Sequence, residues 1–323
     1  MARKIWVSTT AFQLRGGPTI EANTEKASRL IDQAAVDKPD IICLPETFPS
    51  HGLSNDLRLT FPQPVPGPVT DMASAKAKQY NTHIICPLLE KRNDRIYNTA
   101  VVIDRNGHIV GTYDKLHPVT TSANFTEFEN GVTPGCEPKV FDLDFGRIGI
   151  LICFDILWPA EFAALKTLGA EIVFWPSAYD GGFPLQALAW NHKYYVVSSV
   201  LTSQSRIIDI TGEILGKTGQ RSAVIGLELN LDKRYFHTDF NASQMPALKA
   251  KYGRDITVRV YHEEAGLVIE SNRSDLCIED IMKEFDLELG PDYIARHNLA
   301  EKTTRHHQIP EPQKPRQTKS QWA

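Results

Sequence analysis

Long apolar runs are missing from this chain of 323 residues. The stretch Ile148 to Leu157 is interrupted by Asp155 and is far shorter than the roughly 20 residues that span a bilayer. An excess of basic charge is missing too. With 35 Lys+Arg against 39 Asp+Glu the formal charge is −4, which gives no electrostatic reason to expect nucleic acid or an anionic membrane as partner. Twenty glycines and twenty prolines are ordinary usage rather than low complexity. Cysteine is scarce: Cys43, Cys86, Cys136, Cys153 and Cys277. The number is odd, no pair has C-x-x-C spacing, and none has histidines at zinc-ligand intervals, so no metal site is expected. The N-terminal segment turns polar at Ser8-Thr9-Thr10, without the apolar core of a signal peptide. A reduced, cytoplasmic protein with mostly buried, inert thiols is the resulting expectation.

What is present is an alternation of β-branched runs and amphipathic stretches. Lys4 to Thr9 reads as a strand. Ile20 to Val36 reads as a helix, because Ala27, Leu30, Ile31, Ala34 and Ala35 share one face. Ile41 to Leu44 is a fully buried strand, and a helix over Val69 to Tyr80 leads into a strand from His83 to Leu89. Tyr97 to Ile103 and Ile109 to Tyr113 form a hairpin across Asn106-Gly107. Arg147 to Ile152, a helix from Pro159 to Leu168 and Ile172 to Trp175 make a further unit. Leu185 to Lys193 (helix), Tyr195 to Leu201, Arg206 to Ile210 and Ser222 to Leu229 complete the pattern. No fixed-period repeat or Gly/Ser linker separates these units, which favours one α/β domain with helices packed outside mixed sheets. Beyond residue 265, Ile278 to Phe285 and Asp292 to Leu299 read as helices. From Lys302 the chain has almost no apolar residues and reads as a tail.

Three segments share a pattern in which an apolar strand runs into a reactive side chain and a turn. They are Ile41 to Glu46, Gly111 to His117, and Ile148 to Asp155, the last followed by Trp158-Pro159 at a helix start. Ligands of open α/β sheets sit beyond the carboxyl ends of strands. A cysteine between a strand and a helix N-terminus is placed for thiolate chemistry, which predicts a lowered pKa for Cys153 alone among the five. Taken singly, each residue has a plainer reading: a core cysteine, a turn acid, a surface lysine. The ordered set of Glu46, Lys115 and Cys153 carries more weight than any member.

In these motifs the sequence resembles the carbon–nitrogen hydrolases of the nitrilase superfamily. It has Leu44-Pro45-Glu46, Tyr113-x-Lys115-x-His117 and Cys153-Phe154-Asp155 with Trp158-Pro159. It also has Tyr97-Asn98-Thr99-Ala100, Thr133-Pro134-Gly135 and Trp175-Pro176-Ser177 in the expected order. The resemblance covers residues 4–230 and extends toward 265. It implies a four-layer α-β-β-α sandwich, commonly dimerised, with no metal or organic cofactor. It further implies catalytic roles for Glu46 (proton shuttle), Lys115 (oxyanion stabiliser) and Cys153 (nucleophile), with the backbone N–H of Phe154 beside the oxyanion. Many members carry a second glutamate shortly before the Pro-Gly element. Glu127 and Glu129 flank the usual spacing, Glu127 being preferred and Glu129 the alternative. The helix Gln186 to His192 departs from the family's Arg-Ala-x-Glu pattern.

The implied division is a hydrolase domain over residues 1–265 and a C-terminal extension over 266–323, helical and then a tail, that either contacts other subunits or is partly disordered. Cys153-Phe154-Asp155, rather than Cys-Trp-Glu, points to the amidase and carbamoylase branches. The expected reaction is hydrolysis of a linear amide or N-carbamoyl compound to acid and ammonia through a Cys thioester. The alternatives are nitrile hydrolysis and a non-catalytic amide-binding protein. Expected partners are a small-molecule substrate and a second copy of the chain. The loops Phe48 to Leu53, Val119 to Asn130 and Ala178 to Phe183 are expected to wall the pocket, with Tyr179 and Phe154 contacting substrate and His51, Phe125 and Phe183 as further candidates.

Overall fold

The computed structural model describes residues 3–53 and 61–306. Contacts divide the chain into two compact units, Ile5–Leu229 and Asn230 onward, the latter joined by the first residues of the chain.

The larger unit is built on two six-stranded sheets. The first has the order β12-β1-β2-β3-β4-β5, with β1 Lys4–Thr10, β2 Ile41–Cys43, β3 His83–Arg92, β4 Arg95–Ile103, β5 Ile109–Asp114 and β12 Val224–Asn230. β1, β2 and β3 run parallel, and β3, β4 and β5 form an antiparallel meander. The expected Asn-Gly turn joins β4 to β5. Asp104 accepts the N–H groups of Asn106 and His108 at 2.8 Å, and Gly107 takes φ +84°, a conformation that favours glycine.

The second sheet runs β11-β10-β9-β8-β7-β6: β6 Lys139–Leu143, β7 Gly146–Ile150, β8 Ile172–Ser177, β9 Tyr195–Val200, β10 Arg206–Ile208 and β11 Ile214–Lys217. β7, β8 and β9 are parallel.

Helices cover the outer faces. α1 (Ile20–Ala34) starts where Thr19 Oγ1 accepts the Ala22 N–H at 3.1 Å, and it buries the apolar face read from its spacing. With α2 (Pro68–Tyr80) it closes a core containing Phe12, Ile42, Leu44, Phe48, Ile84, Leu88 and Val101. Burying a leucine-sized side chain contributes about 1.5–3 kcal/mol. α3 (Pro159–Thr167) and α4 (Phe183–His192) pack on the second sheet. A Cβ on Gly149 of β7 would lie 2.8 Å from Leu165 Cδ1 of α3, so the helix packs closely on this strand and a larger residue there would displace the Leu165 side chain. The layers are therefore α-β-β-α, as the resemblance implied.

Short polar contacts cross between the sheets. Thr9 Oγ1 donates to Ser198 O at 2.6 Å. Ser199 Oγ lies 2.8 Å from Thr10 O and 3.0 Å from Cys43 O, and Ser205 Oγ donates to Thr10 O at 2.7 Å.

The second unit contains β13 (Arg234–His237), α5 (Met245–Tyr252), β14 (Ile256–Tyr261), β15 (Gly266–Ser271), α6 (Ile278–Glu284) and α7 (Gly290–Arg305). β15 pairs antiparallel with both β13 and β14, over a core of Phe236, Leu248, Ile256, Leu267, Ile269, Ile278, Ile281 and Leu287. The compact units thus meet at 229/230, whereas the sequence reading places a boundary near 265. Pairing of β13 and β14 with the later β15 draws residues 230–265 into the second unit, a long-range effect that local periodicity does not carry. Lys302 to Arg305, read as tail, continue α7; the rest of the expected tail, residues 307–323, lies outside the described residues. No described helix is long and apolar enough to cross a membrane.

Candidate active site

Glu46 follows β2, three residues past the strand end, and is 3 % exposed. Lys115 follows β5 and is 1 % exposed. Its N–H bonds Asn98 O at 2.9 Å, and its carbonyl accepts the Gly135 N–H at 2.8 Å. The Pro-Gly element is required by close approach: a Cβ on Gly135 would fall 2.2 Å from Asp114 O. Cys153 follows β7 and opens a short 3-10 turn, Cys153–Leu157, with φ +48°. A non-glycine residue held there stores about 1–3 kcal/mol of strain that its surroundings must over-determine. Trp175 Nε1 donates to Cys153 O at 3.0 Å, and Asp155 binds the turn from below, its Oδ2 accepting the Ile152 N–H at 2.8 Å.

These ends converge. Lys115 Nζ donates to Glu46 Oε1 at 2.9 Å and to Glu129 Oε1 at 2.5 Å. Asn98 Nδ2 donates to the same Glu46 oxygen at 2.8 Å. Glu46 Oε2 is buried and has no hydrogen-bond partner among the described residues. A buried lone carboxylate oxygen is costly unless something with a proton comes to it.

Burial works against the charge of Lys115, but Glu46, Cys153 and Glu129 together hold its ammonium above the ordinary lysine range. Burial pushes the Cys153 thiol up, and the Glu46 carboxylate adds to this. Lys115, the Ser177 hydroxyl and the Ala178 N–H oppose them. The lowered thiol pKa expected at Cys153 is therefore corrected: desolvation outweighs the helix-start and lysine effects. Burial alone raises Cys86 to about 12, and burial is the main cause that raises Cys43, against the Ser199 hydroxyl. What distinguishes Cys153 is its neighbours, a carboxylate and an ammonium.

The preference for Glu127 is also corrected in position. Ser122 Oγ accepts the N–H groups of Thr126 and Glu127, both at 3.1 Å, closing a surface loop that leaves Glu127 exposed. The following 3-10 turn at Glu129–Gly131 carries Glu129 inward to Lys115. Tyr179 is 40 % exposed and packs edge-on against Trp175, with centroids 5.3 Å apart. Burial, Cys153 and Glu46 push its hydroxyl up to about 12. Phe154 is half-buried with its ring edge-on to Trp158, and His117 stacks on that indole at 3.8 Å. Phe125 and Phe183 are largely exposed, whereas His51 packs edge-on against Phe12.

Asn98, Asp155 and Ser177 escaped the sequence reading as functional residues. The available signal was a polar residue inside an otherwise apolar strand, as Asn98 is in β4. Among the described residues one group has metal-ligand composition: Asp232, Cys277 and Glu279 in the second unit. Its acids are already engaged by the Ile278 N–H and by Arg234.

The α-β-β-α sandwich thus carries a thiol, a carboxylate and an ammonium beyond the ends of its strands. The carbon–nitrogen hydrolase family model matches residues 9–235, and the chain belongs to that family, within the nitrilase superfamily. A β-ureidopropionase of Arabidopsis thaliana is 36 % identical over 163 residues, covering 49 % of this chain and 40 % of that protein. The match thus spans less than half the length of that relative. A Saccharomyces cerevisiae structure from branch 10 of the nitrilase superfamily superposes with a TM-score of 0.62 at 21 % identity, over 78 % of this chain and 97 % of that one. An amidase of Nesterenkonia sp. AN1, solved with an acetamide moiety added covalently at its active-site cysteine, gives 0.61 at 16 % identity, over 70 % and 90 %.

Proposed function

We propose that this protein hydrolyses the C–N bond of a linear amide or N-carbamoyl compound through a thioester on Cys153. The observation that carries the reading is the unpartnered, buried Oε2 of Glu46 in a cluster with Lys115 and the Cys153 thiol. A carboxylate with one oxygen held by Lys115 and Asn98 and the other free is equipped to move protons.

In the first half-reaction Sγ bonds the carbonyl carbon, and the thiol proton passes to Glu46. Lys115 and the Phe154 N–H stabilise the oxyanion, electrostatic support of about 2.7–4 kcal/mol per donor in other enzymes. The C–N bond then breaks, Glu46 returns the proton to the leaving nitrogen, and ammonia departs. In the second half, Glu46 takes a proton from water, hydroxide adds to the thioester, and the thiol leaves with that proton. Glu129 holds Lys115 from the far side and keeps its ammonium aimed while Glu46 changes charge. The β-ureidopropionase and amidase relatives support the substrate class.

Assembly into a homodimer or larger homo-oligomer is part of the same proposal. It is supported by the exposed apolar side chains Leu157, Trp158 and Leu168 at the two ends of α3, which a subunit contact would cover. The test is ammonia release from a panel of linear amides, N-carbamoyl amino acids and nitriles, with Cys153→Ala as control. Amide or carbamoyl turnover that vanishes in the folded Cys153→Ala variant is the expected result. Turnover of nitriles alone, or activity that survives Cys153→Ala, overturns it.

A further inference from the structure

Asp155 is fully buried, and all three of its hydrogen-bond donors are uncharged. Its Oδ2 accepts the Tyr113 hydroxyl and the Ile152 N–H, and its Oδ1 accepts the His117 N–H, each at 2.8 Å. Tyr113 and His117 stand two residues to either side of Lys115. Ile152 immediately precedes Cys153. One carboxylate therefore grips the lysine segment at two points and the cysteine turn at a third.

Burying a carboxylate away from a contacting cation is expensive. A turn alone would not need it, since the Asp155 N–H already bonds Ile152 O at 3.0 Å and the Trp158 N–H bonds Asp155 O at 3.0 Å. Only a side chain with two acceptor atoms and no donor can serve three donors at once. Burial pushes the carboxyl up while these donors pull it down. The turn it secures also holds Cys153 at φ +48°, which requires firm support.

We infer that Asp155 is a positioning residue that locks the lysine-bearing segment to the nucleophile turn, fixing Lys115 relative to Cys153. The inference rests on the roles proposed for those two residues. It goes beyond them in naming what sets their separation.

The test is Asp155→Asn, measured beside Tyr113→Phe and Leu30→Ala. An amide offers one acceptor atom, so in either orientation its NH2 faces the N–H of His117 or of Ile152, and one arm of the clamp is lost. A displacement of about 1 Å costs on the order of 100-fold in rate. The expected result is a kcat loss of that order with KM within about threefold. Cys153 is also expected to react several-fold more slowly with iodoacetamide near pH 8, because Lys115 no longer supports the thiolate. Loss of a negative charge by itself would speed that alkylation, so the sign separates positioning from simple electrostatics.

Tyr113→Phe removes one donor and leaves both backbone arms. It is expected to lower kcat by roughly fivefold and to slow alkylation slightly. Leu30→Ala, in the α1 core, is expected to lower Tm while leaving both readouts unchanged. An unchanged kcat or an unslowed alkylation in Asp155→Asn overturns the inference, as does a parallel kcat loss in Leu30→Ala. If Asp155→Asn does not fold, Tyr113→Phe decides by the same two readouts. Alkylation needs no substrate, so a protein that turns over no amide refutes the proposed function while the thiol rate still judges Asp155.

Discussion

Replacing Lys115 by Met keeps most of the side chain's bulk and deletes its charge, leaving Glu46 and Glu129 facing each other. Removing one partner of a buried ion pair costs about 3–5 kcal/mol, because the other charge stays behind uncompensated. The upper half of that range applies here, since Glu46 is almost fully enclosed and Lys115 serves two carboxylates. For a unit of this size about 1 kcal/mol moves Tm by roughly 2–4 °C, so Tm should fall by about 8–20 °C at pH 7. Adding Glu46→Gln to Lys115→Met should restore part of the loss, with a coupling of about 2–3 kcal/mol. The pH dependence has a definite sign. The folded-state pKa of Lys115 is raised, so its contribution is whole below the unfolded lysine value of about 10.4 and declines as pH rises above it. Thermal melts of wild type, both single variants and the double variant, followed by calorimetry, measure all three quantities. A Lys115→Met variant melting within about 2 °C of wild type, or single losses that simply add in the double variant, would refute the buried-ion account.

Glu129→Gln should lower kcat at least about tenfold by releasing one hold on Lys115, whereas Glu127→Gln on its surface loop should leave turnover within about twofold; the reverse ranking would return the role to Glu127. Asn98→Ala should cost on the order of tenfold in kcat by removing a donor to the Glu46 carboxylate, with ammonia release as the readout. Gly135→Ala forces a Cβ against Asp114 O and should lower both Tm and kcat; unchanged kinetics would show that the Lys115 segment is not seated by this contact. Ile281→Ala should destabilise the second unit by about 2–5 kcal/mol, seen as protease sensitivity beyond residue 230.

Much of the larger unit was legible because its elements are local. The α1 face, the Asn-Gly hairpin and the buried strand at Ile41 announce themselves by periodicity and turn chemistry. Glu46, Lys115 and Cys153 were legible as an ordered set at strand ends. Glu127 misled because spacing alone does not reveal that Ser122 closes a loop around it. The thiol of Cys153 misled because burial is a tertiary quantity, invisible in the residues flanking it. Strand β13 escaped notice because it pairs with β15 some thirty residues later, and the β14–β15 hairpin because its Glu263-Glu264-Ala265-Gly266 connection carries no Asn-Gly turn signal.

The serine and threonine contacts between the two sheets bear on the chemistry in another way. Glu46 follows a strand of one sheet and Cys153 a strand of the other, so the gap between the proposed base and the proposed nucleophile depends on the spacing of the sheets. Ser199 reaches across to Cys43 O, three residues before Glu46. Apolar packing alone would let the layers slide by fractions of an ångström at little cost, since dispersion is non-directional. Directional bonds of small side chains do not. Under the proposed mechanism the reaction distance is thus gauged by hydroxyls of the layer contact, and enlarging one of them would shift Glu46 relative to Cys153 without altering either residue.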